Sequence, residues 1–379
     1  MAHPRYALVA GEASGDLLAG HVLDAMRARW PELGAGGIGG TQMNARGFQS
    51  WWPAEKLSVS GYAEVLKHLR EILKIRNELR DRLLADRPDV FIGVDAPDFN
   101  LGLESQLRAA GVKTVHFVCP SIWAWRMKRV EKLKRACDHV LCIFPFEPEL
   151  LARHGVASTY VGHPLASVIP MEPDQHSARA KLGLPADGTV VAVLPGSRAS
   201  EIEAHTARFL AAAALLEKQH PGTWFVLPAV PALQARISEI ARRGPAPRHL
   251  SIVAGQSHAA LAACDLALVA SGTATLETAL FKRPMVISYR TSWLTYALMK
   301  PRHLLPWVGL PNILCRDFVV PELLQANAKP ELLARALGDW LASPDRMRSV
   351  QQKFRALHAD LKRDTATLAT DAIEKVLAS

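Results

Sequence analysis

The sequence predicts an α/β protein with parallel sheets, built as two Rossmann-like halves, and three observations carry that expectation. Short apolar runs alternate with longer segments of helical period along the chain. The runs are continuous rather than alternating, as in strands covered by helices on both faces. The pattern also restarts: a strand entering a glycine-bearing turn occurs at 7–15 and again at 190–197. A length of 379 residues accommodates two domains of about 150–200 residues each.

Candidate strands fall at 7–10, 90–94, 114–118, 140–143, 190–194, 224–227, 266–270 and 285–288. Strand alternating with helix implies parallel pairing. Residues 164–185 are rich in Pro, Asp and Ser and carry no strand signal, so they are expected to link the halves. The expected divisions are a first half at 1–165, a second at 166–345 and a helical tail at 346–379. The tail spaces Leu357, Leu361, Leu368 and Ile373 at helical intervals, and a terminal helix there can cross back onto the first half.

Composition narrows the function classes. A hydrophobic fraction of 49% and a charged fraction of 21% describe a chain with a core and argue against disorder. The net charge of +9 favours acidic partners: nucleic acid, an anionic membrane face or phosphorylated substrates. No helix-turn-helix, zinc or RNA-recognition signature accompanies it, so nucleic acid is not expected. Cys119, Cys137, Cys142, Cys264 and Cys315 are odd in number and form no CxxC pair. That fits a reducing compartment and buried small apolar roles rather than disulfides. No signal peptide is read at the start, and no window approaches the roughly 20 apolar residues of a membrane span. A soluble or peripheral protein is expected.

Five loops that follow strands are candidate sites. In the first, Gly11, Glu12, Ala13, Ser14, Gly15 and Asp16 follow strand one. Small residues there permit a sharp turn and close ligand approach, and the next helix aims its N-terminus at the loop, which suits a phosphate. The spacing is not GxGxxG, so an ordinary strand-to-helix turn stands beside that reading. In the second, Asp95, Pro97 and Asp98 follow the strand at 90–94. A carboxylate at the carboxyl end of a strand faces the ligand crevice of a doubly wound sheet and can act as a base. Asp95 is preferred for chemistry and Asp98 for capping the next helix. In the third, Trp123 and Trp125 precede the basic residues Arg126, Lys128, Arg129, Lys132, Lys134 and Arg135. That combination suits a sugar phosphate or a membrane interface; a solvated basic helix is the alternative.

The fourth loop runs through Gly196, Ser197 and Arg198 to Glu201 and Glu203. Backbone N–H groups and Arg198 there suit a pyrophosphate, while a Ser197-to-Glu201 capping pattern is compatible with the same geometry. In the fifth, Ser271, Gly272 and Thr273 open a helix that carries Glu277. This is a second phosphate cradle, with a carboxylate placed to accept from both ribose hydroxyls; plain capping is the alternative. A sixth candidate is the amphipathic segment at 62–76. Tyr62, Val65, Leu66, Leu69, Ile72 and Leu73 share one face, flanked by Lys67, Arg70, Lys74 and Arg76. Core packing and a membrane or acyl-chain face both fit it. No histidine cluster has metal-ligand spacing, and no P-loop, HExxH or GxSxG occurs, so neither a metal nor a cofactor is expected.

The segments LVAGEASGD, DAPDFN, CPSIWAWRMKRV, LPGSRASEIE, SGTATLE and LPNILCR occur in this order. Together they resemble the lipid-A-disaccharide synthase family across essentially the whole chain. UDP-N-acetylglucosamine 2-epimerases share only the two-domain plan. The resemblance implies a GT-B fold, two Rossmann-like domains with a cleft between them. It implies an inverting, metal-free glycosyltransferase. The donor would be UDP-2,3-diacylglucosamine and the acceptor 2,3-diacylglucosamine 1-phosphate, giving the β(1→6) disaccharide 1-phosphate and UDP.

By the same resemblance Asp95 takes the proton of the acceptor 6-hydroxyl, with Asp98 and Glu12 on neighbouring loops as alternative bases. Arg198 and the helix starts after Gly196 and Gly272 neutralise the departing UDP. Glu277 holds the ribose, and Asn312 of the LPN segment serves the donor. Glu12, Ser14, Gly15, Trp123 and Arg126 form the acceptor or phosphate loop. The face of Val65, Leu66, Leu69, Ile72 and Leu73 meets membrane or acyl chains, with Trp293, Tyr296, Leu298 and Met299 as a second apolar candidate. The expected location is the cytosolic face of the inner membrane, bound peripherally. A homodimer remains open. The rival readings are a soluble UDP-sugar enzyme such as an epimerase, and a non-enzymatic basic binding protein.

Overall fold

A computed structural model describes residues 4–57, 62–125, 129–291 and 305–379. The chain divides into two compact units, Met1–Pro164 together with Leu361–Ser379, and Leu165–Asp360. Among the described residues no helix is long and apolar enough to cross a membrane.

The first unit runs β1 (Arg5–Ala10), α1 (Ala13–Arg29), β2 (Gly34–Gly39), α2 (Thr41–Asn44), β3 (Gln49–Pro53), α3 (Tyr62–Asp86), β4 (Val90–Val94), α4 (Pro97–Ala109), β5 (Lys113–Phe117), α5 (Ile122–Trp125), α6 (Arg129–Ala136), β6 (His139–Cys142), α7 (Glu147–Ala152) and β7 (Ser158–Tyr160). Among the described residues its sheet has seven parallel strands in the order β3-β2-β1-β4-β5-β6-β7. Leu8, Val9 and Ala10 of β1 and Val90, Phe91 and Ile92 of β4 are buried, as the continuous apolar runs require. β2 lacks such a run because it is mostly glycine. A Cβ on Gly36 would stand 2.5 Å from the Trp51 ring, and one on Gly37 would stand 2.0 Å from the Leu8 carbonyl oxygen. Close approach of neighbouring groups, not β-propensity, selects those residues.

The second unit holds α8 (Pro164–Val168), α9 (Gln175–Leu182), β8 (Val190–Leu194), α10 (Ala199–Gln219), β9 (Trp224–Ala229), α11 (Gln234–Arg243), β10 (Leu250–Ala254), α12 (Ser257–Ala263), β11 (Leu266–Ala270), α13 (Thr273–Leu280), β12 (Met285–Tyr289), α14 (Leu310–Cys315), β13 (Glu322–Leu324), α15 (Pro330–Leu341) and α16 (Pro344–Leu361). Among the described residues its sheet has six parallel strands in the order β10-β9-β8-β11-β12-β13. In each sheet the strand order reverses beside the first strand, at β1/β4 and at β8/β11. Ligands of doubly wound sheets bind outside the carboxyl ends of the strands at this point.

The expected linker is not structureless. It carries α8 and α9, and Asp174 caps α9 by accepting the Ser177 N–H at 3.0 Å. The tail also divides. α16 stays in the second unit, with Phe354 buried, whereas α17 (Thr365–Ala378) joins the first unit. There Arg29 at the end of α1 reaches Asp371 at 2.7 Å and Glu374 at 2.5 Å. The terminal helix therefore does return to the first half.

Candidate active site

In the second unit, a cavity of about 510 Å³ opens at the carboxyl ends of β8 and β11. That is the size of a small-molecule or nucleotide site. Gly196, Ser197, Arg198, Ser271, Gly272, Thr273 and Glu277 all line it. Loops far apart in sequence meet there because β8 and β11 are neighbours in the sheet.

The two loops differ in what they offer an anion. After β8, Glu201 reaches back from the first turn of α10, and its Oε2 accepts the N–H groups of Ser197 at 2.9 Å and Arg198 at 3.2 Å. The amide cradle expected after Gly196 is thus already filled by a protein carboxylate. The capping half of the expectation holds here, since a glutamate at the third helical position satisfies the orphan amides. What this loop leaves open is the exposed guanidinium of Arg198, whose Nη1 stands 3.8 Å from Glu201 Oε1. After β11, α13 starts at Gly272 with no capping side chain. Of its first three amides, that of Thr275 donates to the Gly272 carbonyl at 3.0 Å, whereas those of Thr273 and Ala274 precede the intrahelical ladder. Gly272 has φ +140°, and a Cβ there would meet nothing within 4 Å, so the space above it is open to a ligand. Glu277 lies one turn further in, and burial raises its pKa against the opposing pull of His258, 3.9 Å away.

Asn312 does not line this cavity. Its amide nitrogen donates to the Val320 carbonyl at 2.9 Å and to Glu322 Oε1 at 2.8 Å, and its oxygen accepts the N–H groups of Val319 and Val320 at 2.9 and 3.0 Å. Glu322 in turn accepts the N–H groups of Val308 and Gly309. The residue expected to serve the donor is here a fully bonded, buried clamp between α14 and the segment that leads to β13.

In the first unit, Asp95 stands at the end of β4. Asp95 and Ala96 both have positive φ, +51° and +41°. Two consecutive non-glycine residues in the left-handed region mark a strained turn, of the kind held where function requires it. The turn is pinned by the Asp95 N–H donating to the Phe117 carbonyl at 2.8 Å and by Asn100 Nδ2 donating to the Asp95 carbonyl at 2.9 Å. Burial raises the Asp95 pKa, and His116 nearby opposes the shift. Asp98 does not cap α4, whose first turn follows Ala96 without a side-chain cap; it pairs instead with Arg129 at 2.6 Å.

The loop after β1 lies against this turn. A Cβ on Gly11 would stand 3.8 Å from that of Ala96, and one on Gly15 would stand 3.7 Å from the Val94 carbonyl oxygen. Glu12 and Ser14 are exposed on it. Asp16, in contrast, is buried and accepts the N–H groups of Gly40, Gln42 and Met43, closing the start of α2.

Trp123 corrects an expectation. It is 7% exposed, and its indole N–H donates to Glu147 Oε1 at 3.0 Å. It also meets Phe144 and Phe146 edge to face at 6.0 and 5.3 Å. Its polar atom is thus engaged within the protein, and its ring packs in an aromatic cluster. Arg126 lies outside the described residues, as do the side chain of Trp125 and residues 293–299 of the second apolar candidate.

The amphipathic helix expected over 62–76 extends to Asp86. Ile75, Leu79 and Leu83 pack in the core with Ile72 against them, whereas Leu73 is half-buried and Leu69 is 39% exposed. Core packing therefore accounts for the second half of the helix. The side chains of Val65 and Leu66 lie outside the described residues.

One cluster was invisible in the sequence. Glu104, His116 and Cys137 are all buried, and their polar atoms lie within 4.8 Å of one another. They come from α4, β5 and the end of α6, with no spacing signal to join them. His116 Nδ1 is 2.8 Å from Glu104 Oε1, and the Cys137 thiol donates to Glu104 Oε2 at 3.3 Å.

Comparison with known proteins agrees with this architecture. The family model described as "Lipid-A-disaccharide synthetase" matches residues 6–376. The lipid-A-disaccharide synthase of Albidiferax ferrireducens is 61% identical, over 99% of this chain and 98% of that protein. Those of Verminephrobacter eiseniae and Burkholderia lata are 58% and 53% identical, over 99% and 98% of this chain and 97% and 96% of theirs. Among solved structures, a putative UDP-N-acetylglucosamine 2-epimerase from Listeria monocytogenes superposes with TM-score 0.65 at 11% identity, covering 100% of this chain and 96% of that one. A HepE structure from Anabaena in complex with UDP and glucose does so with TM-score 0.57 at 13% identity, over 100% of both chains. At these identities the likeness is one of fold: the GT-B class, with two Rossmann-like units.

Proposed function

Because the chain belongs to the lipid-A-disaccharide synthase family, we propose that its second unit holds the UDP-sugar donor and that its first unit supplies the base, Asp95. The reaction of the family is the transfer of 2,3-diacylglucosamine from UDP to 2,3-diacylglucosamine 1-phosphate, forming the β(1→6) lipid A disaccharide 1-phosphate and UDP.

The observation that carries the donor assignment is the cavity at the β8/β11 switch point, with seven of the eight expected donor residues on its wall. The first-turn amides of α13 and the guanidinium of Arg198 take the diphosphate. Glu277 accepts from the ribose hydroxyls. Asn312 contributes by holding the α14 segment rather than by touching the donor.

Inversion requires one base and one displacement. The Asp95 carboxylate accepts the proton of the acceptor 6-hydroxyl as that oxygen bonds to the anomeric carbon, and the bond to the UDP oxygen breaks on the opposite face. The electron pair leaves with UDP, whose developing charge is met by Arg198 and the α13 amides. Glu12, Ser14 and Gly15, beside Asp95, are assigned to the acceptor.

Both substrates are lipids, and the chain carries a net charge of +9. The start of α3, where Leu69 is exposed, is assigned to a membrane or acyl surface on the cytosolic face, with basic residues adding about 1 kcal/mol each near anionic lipid.

UDP release from the purified protein, measured in EDTA with and without the diacylated sugar phosphate, tests the reading. Release that depends on acceptor and is lost in Asp95→Ala, with UDP binding retained, supports it. Release from an unacylated donor alone overturns it in favour of a soluble UDP-sugar enzyme.

A further inference from the structure

Gly93 and His116 are register partners in the β4–β5 ladder, two residues before Asp95. A Cβ on Gly93 would stand 2.1 Å from Glu104 Oε1, 2.9 Å from Asn100 Cβ and 3.0 Å from Asn100 Cγ. Glu104, Asn100 and His116 therefore converge on the one position where the strand has no side chain. Glu104 and Asn100 lie one turn apart on α4 and face the same point.

Both oxygens of Glu104 are engaged, by His116 Nδ1 and by the Cys137 thiol. The carboxyl and the imidazole are both 0% exposed. A lone buried carboxylate is costly, so the favoured states of the pair are net neutral. Those states are imidazolium with carboxylate, or neutral imidazole with carboxylic acid donating to Nδ1. In each of them Nε2 carries a hydrogen. His116 Nε2 is nonetheless buried without a hydrogen-bond partner among the described residues, and so is Asn100 Oδ1. Orphaned polar atoms are rare in native interiors and call for an explanation. Asn100 is also the residue that grips the carbonyl of Asp95.

We propose that His116, held by Glu104, is a positioning residue for Asp95: the pair keeps a hydrogen and its positive end buried beneath the strained 95–96 turn, which holds the Asp95 carboxylate ionised and oriented as the proton acceptor. The inference rests on Asp95 being the base. In the reaction the pair neither gains nor loses a proton; the acceptor's proton goes to Asp95. Glu104 on α4 and Cys137 after α6 lie against His116, Asp95 after β4 is within its electrostatic reach, and Arg108 and Asp138, tied at 2.8 Å, act on Cys137. Burial alone moves Asp95 toward its neutral form, and His116 is the side chain that opposes this.

His116→Gln and the near-isosteric Glu104→Gln, in the full chain, provide the test. Acceptor-dependent UDP release is followed against pH, with UDP binding and thermal unfolding measured in parallel. His116→Gln is expected to lower kcat about 10-fold on the acidic side of the profile, with both KM values within about 2-fold. The acidic limb of its kcat/KM profile moves up by about one pH unit, so raising the pH restores much of the rate. Glu104→Gln moves the limb the same way by removing the carboxyl that holds His116. An unmoved limb in both variants, with Asp95→Ala inactive, overturns this inference and leaves the base assignment standing. Full turnover in Asp95→Ala overturns the base assignment itself.

Discussion

The indole N–H of Trp123 donates to Glu147 Oε1 at 3.0 Å, and the second oxygen of that carboxyl accepts the Phe144 N–H at 3.0 Å. These donors favour the ionised carboxylate, yet burial outweighs them and pushes the Glu147 pKa up from 4.5 to about 8. The folded state thus keeps a proton that the unfolded chain releases near 4.5. A group with a raised folded pKa contributes fully below the unfolded value, and its contribution is lost as pH rises through the folded one. Stability therefore falls across that window. Glu147→Gln removes the titration. Its melting temperature should decline less steeply with pH than that of the parent, whatever the fixed cost of the substitution. Parallel slopes in thermal unfolding at matched ionic strength would refute this.

Gly196 and Gly272 both hold positive φ, +130° and +140°, but their surroundings differ. A Cβ on Gly196 would stand 2.4 Å from Glu201 Cβ and 2.6 Å from its Oε2, displacing the carboxylate that caps α10. Gly196→Ala should cost about 2–4 kcal/mol, from backbone strain plus the lost cap. Gly272→Ala has strain alone to bear and should cost about 1–3 kcal/mol, while narrowing the approach of a ligand to α13. Urea unfolding ranks the two, and UDP titration should rank Gly272→Ala as the more damaging to affinity relative to its stability loss.

Asn312→Ala leaves the buried N–H groups of Val319 and Val320 without their acceptor. The expected destabilisation is about 2–4 kcal/mol. A variant of ordinary stability with a raised donor KM would instead assign Asn312 to direct substrate contact. Urea unfolding beside donor kinetics separates the two.

Glu277 lies on the cavity wall, with its pKa raised by burial. If its carboxylate accepts from the ribose, Glu277→Gln raises donor KM about 10- to 100-fold with little change in kcat, as expected for binding shared by ground and transition states. UDP affinity of the parent should also weaken on acidification, beginning above the ordinary carboxylate range, and the variant should lose that dependence. Calorimetric UDP titrations at several pH values check both.

Much of the fold was legible because buried parallel strands are written as unbroken apolar runs. The strands at 90–94, 190–194 and 266–270 coincide with β4, β8 and β11. The strands that were missed each break that rule. β2 is mostly glycine, β7 and β13 have three residues each, β3 holds two tryptophans that remain half-buried at an edge, and β10 is an edge strand with no fully buried residue. Edge and glycine-rich strands are selected by contacts with neighbours, which one-dimensional pattern does not carry.

The sequence by itself determined the two-unit α/β plan, the loops that line the cavity at β8 and β11, the position of Asp95 at a strand end and the family. These are local properties: hydrophobic period, turn residues and residue order. Only the tertiary structure decided which amide cradle is open, because Glu201 closes the first by folding back on it. It alone made Trp123 and Asn312 buried, hydrogen-bonded anchors. It also brought Glu104, His116 and Cys137 together beside Gly93, two residues before Asp95. A side chain's partners depend on which strands and helices become neighbours, and that adjacency follows from sheet order rather than from spacing along the chain.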